Sequence, residues 1–279
     1  MLNLRKISIQ TLTAFCLLCL SVLPGLALEV EYDGIIEPHV IIELGSPTEG
    51  IVAKVNVDRS SLIKKGQTLV ELESSVERAT VEKSSAMAKF DGAIALQKAQ
   101  LAFAKRVHGR VKQVNAISTH DKDQAATDVV LTGFRLKKAR EDSTLAKLEL
   151  KKAKALLNLR VVKSPISGVV VDRYVSPGEY VNSQPLLRVA QIDPLRVEVI
   201  VPAQMFGKIT PDMTATIVPE LSMYEEQTAT VKLVDKVIDA ASSTFGVRLE
   251  LPNSDYKLPS GLRCRVRFEI DENDDEKKQ

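Results

Sequence analysis

The sequence predicts an elongated α+β chain, with a long antiparallel α-helical hairpin inserted into a small β-sandwich and a further β-domain after it. Three observations predict this. Two runs of about 40 residues without proline flank a short helix-breaking segment. A β-prone motif that precedes these runs recurs after them. The C-terminal region then alternates apolar and polar residues with period two, the mark of half-buried strands.

The hairpin is assigned to residues 74–160. Helix one is expected to run unbroken from about Ser74 to Val114 and helix two from about Thr119 to Leu159. Helix two carries Val129, Leu136, Leu150 and Leu157 at seven-residue spacing, interrupted by Ser143, with Ala139, Ala146 and Ala153 at the second heptad position; this is a coiled-coil seam. Helix one answers with Met87, Ile94 and Leu101 in one series and Phe90, Ala104 and Val111 in the other, weakened at Thr80, Lys83, Gln97 and His108. Helices of about 40 residues would project on the order of 60 Å. A second apolar set on helix two, Leu131, Phe134, Leu145, Leu148 and Leu159, exceeds what one partner helix covers. It reads either as a contact surface for further copies or as a broad seam within one hairpin. Lysines and arginines between the apolar positions, among them Lys137, Lys138 and Lys151, alternate with Glu141, Asp142 and Glu149 and read as a solvated face.

On either side of the hairpin lies an internal repeat. Ser46-Pro47-Thr48-Glu49-Gly50-Ile51-Val52 recurs as Ser164-Pro165-Ile166-Ser167-Gly168-Val169-Val170. The parallel continues without a gap: Val57, Ser60, Ile63, Gly66 and Leu69 correspond to Val175, Gly178, Val181, Gln184 and Leu187. A unit of about 30 residues with a few short strands cannot bury its own apolar face, so segments 46–73 and 161–193 should pack together as one sandwich. The two ends of the inserted hairpin must then lie close together.

Residues 1–27 read as a secretory signal peptide: Arg5 and Lys6 precede the apolar run Leu12–Leu23, followed by Pro24, Gly25, Leu26 and Ala27. An uncleaved anchor is the alternative, although the run is shorter than the roughly 20 residues of a spanning helix. Cys16 and Cys19 lie in this run, so the mature chain would keep only Cys264, expected to be a small buried hydrophobe on a strand. Residues 28–45 form an N-terminal strand region. Residues 194–270 form the second β-domain, in which Leu262, Cys264, Val266, Phe268 and Ile270 alternate with Arg263, Arg265, Arg267 and Glu269. The acidic tail 271–279 lacks apolar periodicity and reads as disordered.

Composition narrows the function. The formal charge is +2, aromatics make up 4% and tryptophan is absent, which argues against a nucleic-acid surface and an aromatic-lined pocket. His39, His108 and His120 are far apart and no Cys/His pair has ligand spacing, so neither a metal nor a cofactor is expected. Ser46-Pro47 and Ser164-Pro165 are turns of the repeat without a general base, and no enzymatic activity is expected.

The two halves resemble biotinyl/lipoyl half-motifs in Val57 to Gly66, where Ser60 replaces the first glycine, and in Val175 to Gln184, where Gln184 replaces the second. The turn that would present a modified lysine is replaced by the hairpin. The nearest lysines, Lys83 and Lys163, lie on a helix and on the returning strand, which argues against a carrier domain. A lipoyl-like sandwich split by a helical hairpin behind a signal peptide resembles the periplasmic adaptor (membrane fusion protein) family of tripartite efflux and secretion systems. Ser243 to Arg248, Leu251-Pro252-Asn253 and Leu258 to Gly261 are similar to the last strands of that family's β-barrel domain; Val197 to Pro202 would open the barrel, and Pro211-Asp212-Met213 stands at a turn of it.

The resemblance implies an inner-membrane-associated periplasmic adaptor that bridges an inner-membrane transporter to an outer-membrane channel for export of small molecules. The transporter would be of RND type, with an ABC-type or type I secretion exporter as alternative and a non-transport coiled-coil scaffold as the remaining one. It further implies a ring oligomer, a hexamer as in that family. The chain ends are too short for the full membrane-proximal domain of many relatives. At the hairpin tip, Ile117-Ser118 followed by Asp123-Gln124-Ala125 is similar to the channel-docking motif, whose arginine and leucine lie one helical turn apart before the serine. Arg110 and Val114 have that mutual spacing, but they lie about a turn closer to Ser118 than usual. The implied docking residues are therefore Arg106 or Arg110, Val114, Ser118 and Asp123.

Overall fold

The computed structural model describes residues 30–269. The expected signal peptide and acidic tail lie outside the described residues. In chain order the strands before the helices are β1 (Val30–Gly45), β2 (Gly50–Val55), β3 (Leu62–Ile63) and β4 (Thr68–Leu72); the helices are α1 (Ser75–Lys89), α2 (Gly92–Gln113) and α3 (Thr119–Asn158). Then follow β5 (Val161–Lys163), β6 (Gly168–Arg173), β7 (Tyr180–Val181), β8 (Pro185–Pro202), β9 (Thr214–Pro219), β10 (Gln227–Val234), β11 (Thr244–Leu251) and β12 (Leu262–Phe268). By its contacts the chain divides into two compact units: residues 40–191, and the described residues 30–39 with 192–269.

In the first unit the two repeat halves pair with each other. Gly50 of β2 lies opposite Val181 of β7, and the repeat-related Gly168 of β6 lies opposite Ile63 of β3. Neither half is a sheet by itself, because each supplies the edge that the other needs. Their inward residues, among them Val52, Leu69, Val70, Val170, Val181 and Leu187, form one core. The opening turns match atom for atom: Ser46 Oγ donates to the Thr48 carbonyl as Ser164 Oγ does to Ile166. Ser60 and Gly178 both adopt left-handed backbone, at φ 63° and 91°. Ser60 thus fills a glycine position at a steric cost. Gly168 is fixed differently, since a Cβ there would lie 2.0 Å from the Ala190 carbonyl oxygen.

The helices enter and leave through neighbouring strands, β4 and β5, with Val70 opposite Val162. The insertion ends therefore lie side by side, as the repeat required. Both α1 and α2 pack along α3. Along α3 the buried or half-buried residues include a seam of Ala125, Val129, Thr132, Leu136, Ala139, Ser143, Ala146, Leu150, Ala153 and Leu157, alternating four and three apart, with Lys122, Ala126 and Gly133 half-buried beside it. On α2 the covered set is Ile94, Gln97, Leu101, Ala104, Val107, His108 and Val111.

Helix one is not continuous, contrary to expectation. Phe90 is extended (φ −76°, ψ 109°) between α1 and α2, and Asp91 stands at the start of α2. Asp91-Gly92 is poor helix sequence: the aspartate competes for backbone groups and the glycine costs about 1 kcal/mol relative to alanine. The break also shifts the pattern by one residue. On α1 the covered residues are Glu77, Val81, Ser84, Ser85 and Ala88, whereas Met87 and Phe90, assigned to the seam from sequence, are 58% and 71% exposed.

The second unit is a closed barrel. Its strands run in the order β1-β12-β9-β10-β11-β8, and β1 also pairs with β8. Period two holds along β12: Cys264, Val266 and Phe268 are buried, Arg263 and Arg265 exposed. Arg265 pairs with Glu31 at 3.1 Å on the outer surface. Burial, with a contribution from the Asp33 charge, pushes the Cys264 thiol up to about 12. One polar group in the interior is fully engaged: the Asn253 amide donates to the carbonyls of Ile192 and Leu258, both at 2.9 Å, and accepts from the Leu258 amide.

Candidate functional site

The features that function can use lie at the two ends and on the outer faces of the hairpin. At its root, Arg160 follows the last residues of α3 and donates to Glu77 on the first turn of α1 at 2.6 and 2.9 Å. Its Nη1 donates to the Glu49 carbonyl at 2.8 Å. Partial burial opposes ionisation of Glu77, but the Arg160 hydrogen bonds and charge outweigh it and hold the carboxyl below the usual glutamate range. A Cβ on Gly50 would lie 2.7 Å from Arg160 Nη1, so the repeat glycine there makes room for the guanidinium. Glu73, just before α1, accepts from the amides of Ser74 and Ser75 at 3.0 and 2.8 Å and satisfies two donors of the helix start.

At the tip the chain leaves α2 at Val114, which is extended, and enters α3 at Ser118. Ser118 Oγ accepts from the Asp121 amide at 3.2 Å and donates to the Asp121 carboxylate at 2.7 Å, a reciprocal cap. The sequence-derived tip residues Arg106, Arg110, Val114, Ser118 and Asp123 are all exposed. The structure gives them no common side-chain cluster: Arg106 lies over the Phe103 ring at 6.0 Å, and Val114, Ser118 and Asp123 follow around the turn. What they offer is an open helix end with cations on one arm and carboxylates at the start of the other.

Sequence reasoning passed over Glu77, Arg160 and the outward position of Phe90. A signal for Arg160 existed, since it stands between the end of α3 and the first residue of the returning strand. Among the described residues no cluster of histidine, cysteine, aspartate or glutamate could hold a metal ion. No described helix is long and apolar enough to cross a membrane.

A family model described as a CzcB-like barrel-sandwich hybrid domain matches residues 40–191, and a CusB-like β-barrel domain model matches residues 195–272. The chain belongs to the membrane fusion protein family. This membrane fusion protein is 25% identical over 262 residues to the multidrug efflux pump subunit AcrA of Escherichia coli, a match covering 88% of the chain and 63% of that relative. It is 25% identical over 190 residues to the pyoverdine export membrane fusion protein PvdR of Pseudomonas aeruginosa, covering 65% of the chain and 49% of PvdR. The chain thus spans about half to two thirds of the length of the curated relatives it matches. In fold it is similar to the crystal structure of MacA from Actinobacillus actinomycetemcomitans, with a TM-score of 0.63 at 20% identity over 86% of this chain and 78% of that one. It is also similar to a MacA-MexA chimera, with a TM-score of 0.55 at 19% identity over 87% and 81%.

Proposed function

We propose that this chain is the periplasmic adaptor subunit of a tripartite efflux pump, joining an inner-membrane transporter to an outer-membrane channel for the export of small molecules. The observation that carries the reading is a split sandwich whose helical insertion projects a capped, charged turn, in a chain related over most of its length to an efflux pump subunit. The hairpin serves as a coiled-coil spacer, and its tip, with Arg106 or Arg110, Val114, Ser118 and Asp123, meets the channel. The RND class of transporter is favoured because the barrel model matching residues 195–272 is an RND-type, CusB-like one. Residues 1–27 direct the chain across the inner membrane, and association with the transporter holds it there. The adaptor works as a ring of copies, six in number.

Affinity purification of the tagged full chain from its own cells, after mild crosslinking, tests the reading. An RND permease and an outer-membrane channel are expected together. Recovery of an ATP-binding transporter would move the adaptor to the other exporter class, and recovery of neither would leave the scaffold reading in its place.

A further inference from the structure

Polar residues interrupt both seams of the hairpin at one place. Ser143 stands where the series Val129, Leu136, Leu150 and Leu157 of α3 calls for a large apolar residue, and Gln97 stands in the covered set of α2 between Ile94 and Leu101. Both line a single cleft of about 420 Å³ beside the break at Phe90. Its apolar walls are Met87, Phe90 and Ile94 on the first arm and Ala139 and Ala146 on α3. The Phe90 ring lies across Gly92, where a Cβ would meet it at 3.2 Å.

Two groups at this cleft lack partners. Gln97 Oε1 is buried and accepts no hydrogen bond. Arg135, on the α3 side, makes no ion pair or hydrogen bond with any described residue. The carboxylate that also lines the cleft, Asp142, is engaged by Lys138 at 3.4 Å, so the Arg135 charge stands uncompensated. A polar pair placed in a seam to fix its register would bond across it. Gln97 and Ser143 do not, and the cleft between them is of the size that holds a small ligand.

We infer that this cleft binds a small aromatic carboxylate that carries a ring N–H or O–H, an indolic or phenolic acid. The ring packs on Met87, Phe90 and Ile94, its N–H or O–H donates to Gln97 Oε1, and the carboxylate accepts from Arg135. Each part of the ligand answers a requirement of the cleft. A plain fatty acid leaves the Gln97 oxygen unpaired, an amine is repelled by Arg135, and a sugar phosphate is rejected by the apolar walls. The ligand touches residues on both sides of the break, Met87 and Phe90 before it and Ile94 and Gln97 after it, and so fixes α1 relative to α2. The inference goes beyond the adaptor reading and does not depend on it.

Isothermal titration of the purified full chain with indolebutyrate tests the site. Saturable binding of one molecule per chain is expected. Naphthalenebutyrate lacks the N–H and indolebutanol lacks the charge, and each should bind about tenfold more weakly, the scale of one buried group left unpaired. Gln97→Leu should make indolebutyrate and naphthalenebutyrate bind alike, and Arg135→Gln should do the same for the acid and the alcohol, with far-ultraviolet helicity unchanged in both. Ala93→Trp, at an exposed position on the rim, should close the cleft and abolish binding. Hydrogen exchange at saturating indolebutyrate should slow at the amides from Phe90 to Gln97 and stay as it was at the tip around Ser118. Absence of saturable binding, or equal binding of all three compounds, overturns the inference. So does binding of indolebutyrate that Gln97→Leu, Arg135→Gln and Ala93→Trp all leave unchanged, which would put the ligand elsewhere on the chain.

Discussion

Arg160 and Glu77 close the root of the hairpin: two hydrogen bonds of 2.6 and 2.9 Å join the chain leaving α3 to the first turn of α1. The side chains are only 23% and 19% exposed, so solvent screens the pair less than an ordinary surface ion pair. Both insertion ends are thereby fixed to the sandwich at a place where a flexible root would let the helices swing.

Glu77→Gln and Arg160→Ala should each destabilise the unit by about 2 kcal/mol, the scale of a hydrogen bond to a charged group. The pair also sets a pH dependence. A glutamate whose folded pKa is depressed contributes stability that is present above its ordinary value near 4.5 and is lost as pH falls through the folded value. The gap in urea midpoint between wild type and Glu77→Gln should narrow as pH is lowered from 7 to below the depressed folded value of Glu77, and a gap independent of pH would remove the ionic account.

The repeat glycines should separate by cause. Gly168→Ala meets the Ala190 carbonyl and should cost more than about 3 kcal/mol. Gly178→Ala meets nothing within 4 Å and carries only the left-handed backbone cost, about 1 kcal/mol. At the equivalent position Ser60→Gly should stabilise by about 0.5 kcal/mol, because relief of the same strain exceeds the added freedom of the unfolded chain. Thermal unfolding of the three variants checks the order.

At the tip, removal of the cap alone should be mild. Ser118→Ala is expected to cost about 1 kcal/mol and to leave export intact. Arg110→Asp and Ser118→Arg should instead abolish export while expression, helicity and transporter binding persist. Full export by both variants would shift the docking role to Arg106 or remove it from the tip.

Cys264 should stay unreactive toward thiol reagents at pH 8, because burial keeps its pKa near 12 and the thiolate is the reacting form. Labelling followed by peptide mapping should find it modified only as denaturant unfolds the barrel. Rapid modification in the native chain would contradict a closed barrel around β12.

The sequence by itself determined those features that repeat at short range. The split repeat showed in its own residues because both halves use the same serine-proline turn and the same inward valines. The seam of α2 and α3 followed from heptad spacing, and β12 from strict alternation, since each period reports which face is covered. The register of α1 escaped for a physical reason: its large apolar residues Val76, Met87 and Phe90 stand outside the covered face, which Glu77, Val81, Ser84 and Ala88 occupy. Hydrophobic spacing follows the large apolar residues and so points to the wrong face where small or polar residues are the covered ones. The larger residues, Met87 and Phe90, face water, while Ser84 and Ala88 face α3. Only the tertiary structure decided that, through close helix approach at the small residues and the extended backbone at Phe90 that resets the phase. It also decided the Arg160–Glu77 closure, for which 83 residues separate partners that only the pairing of β4 with β5 brings together.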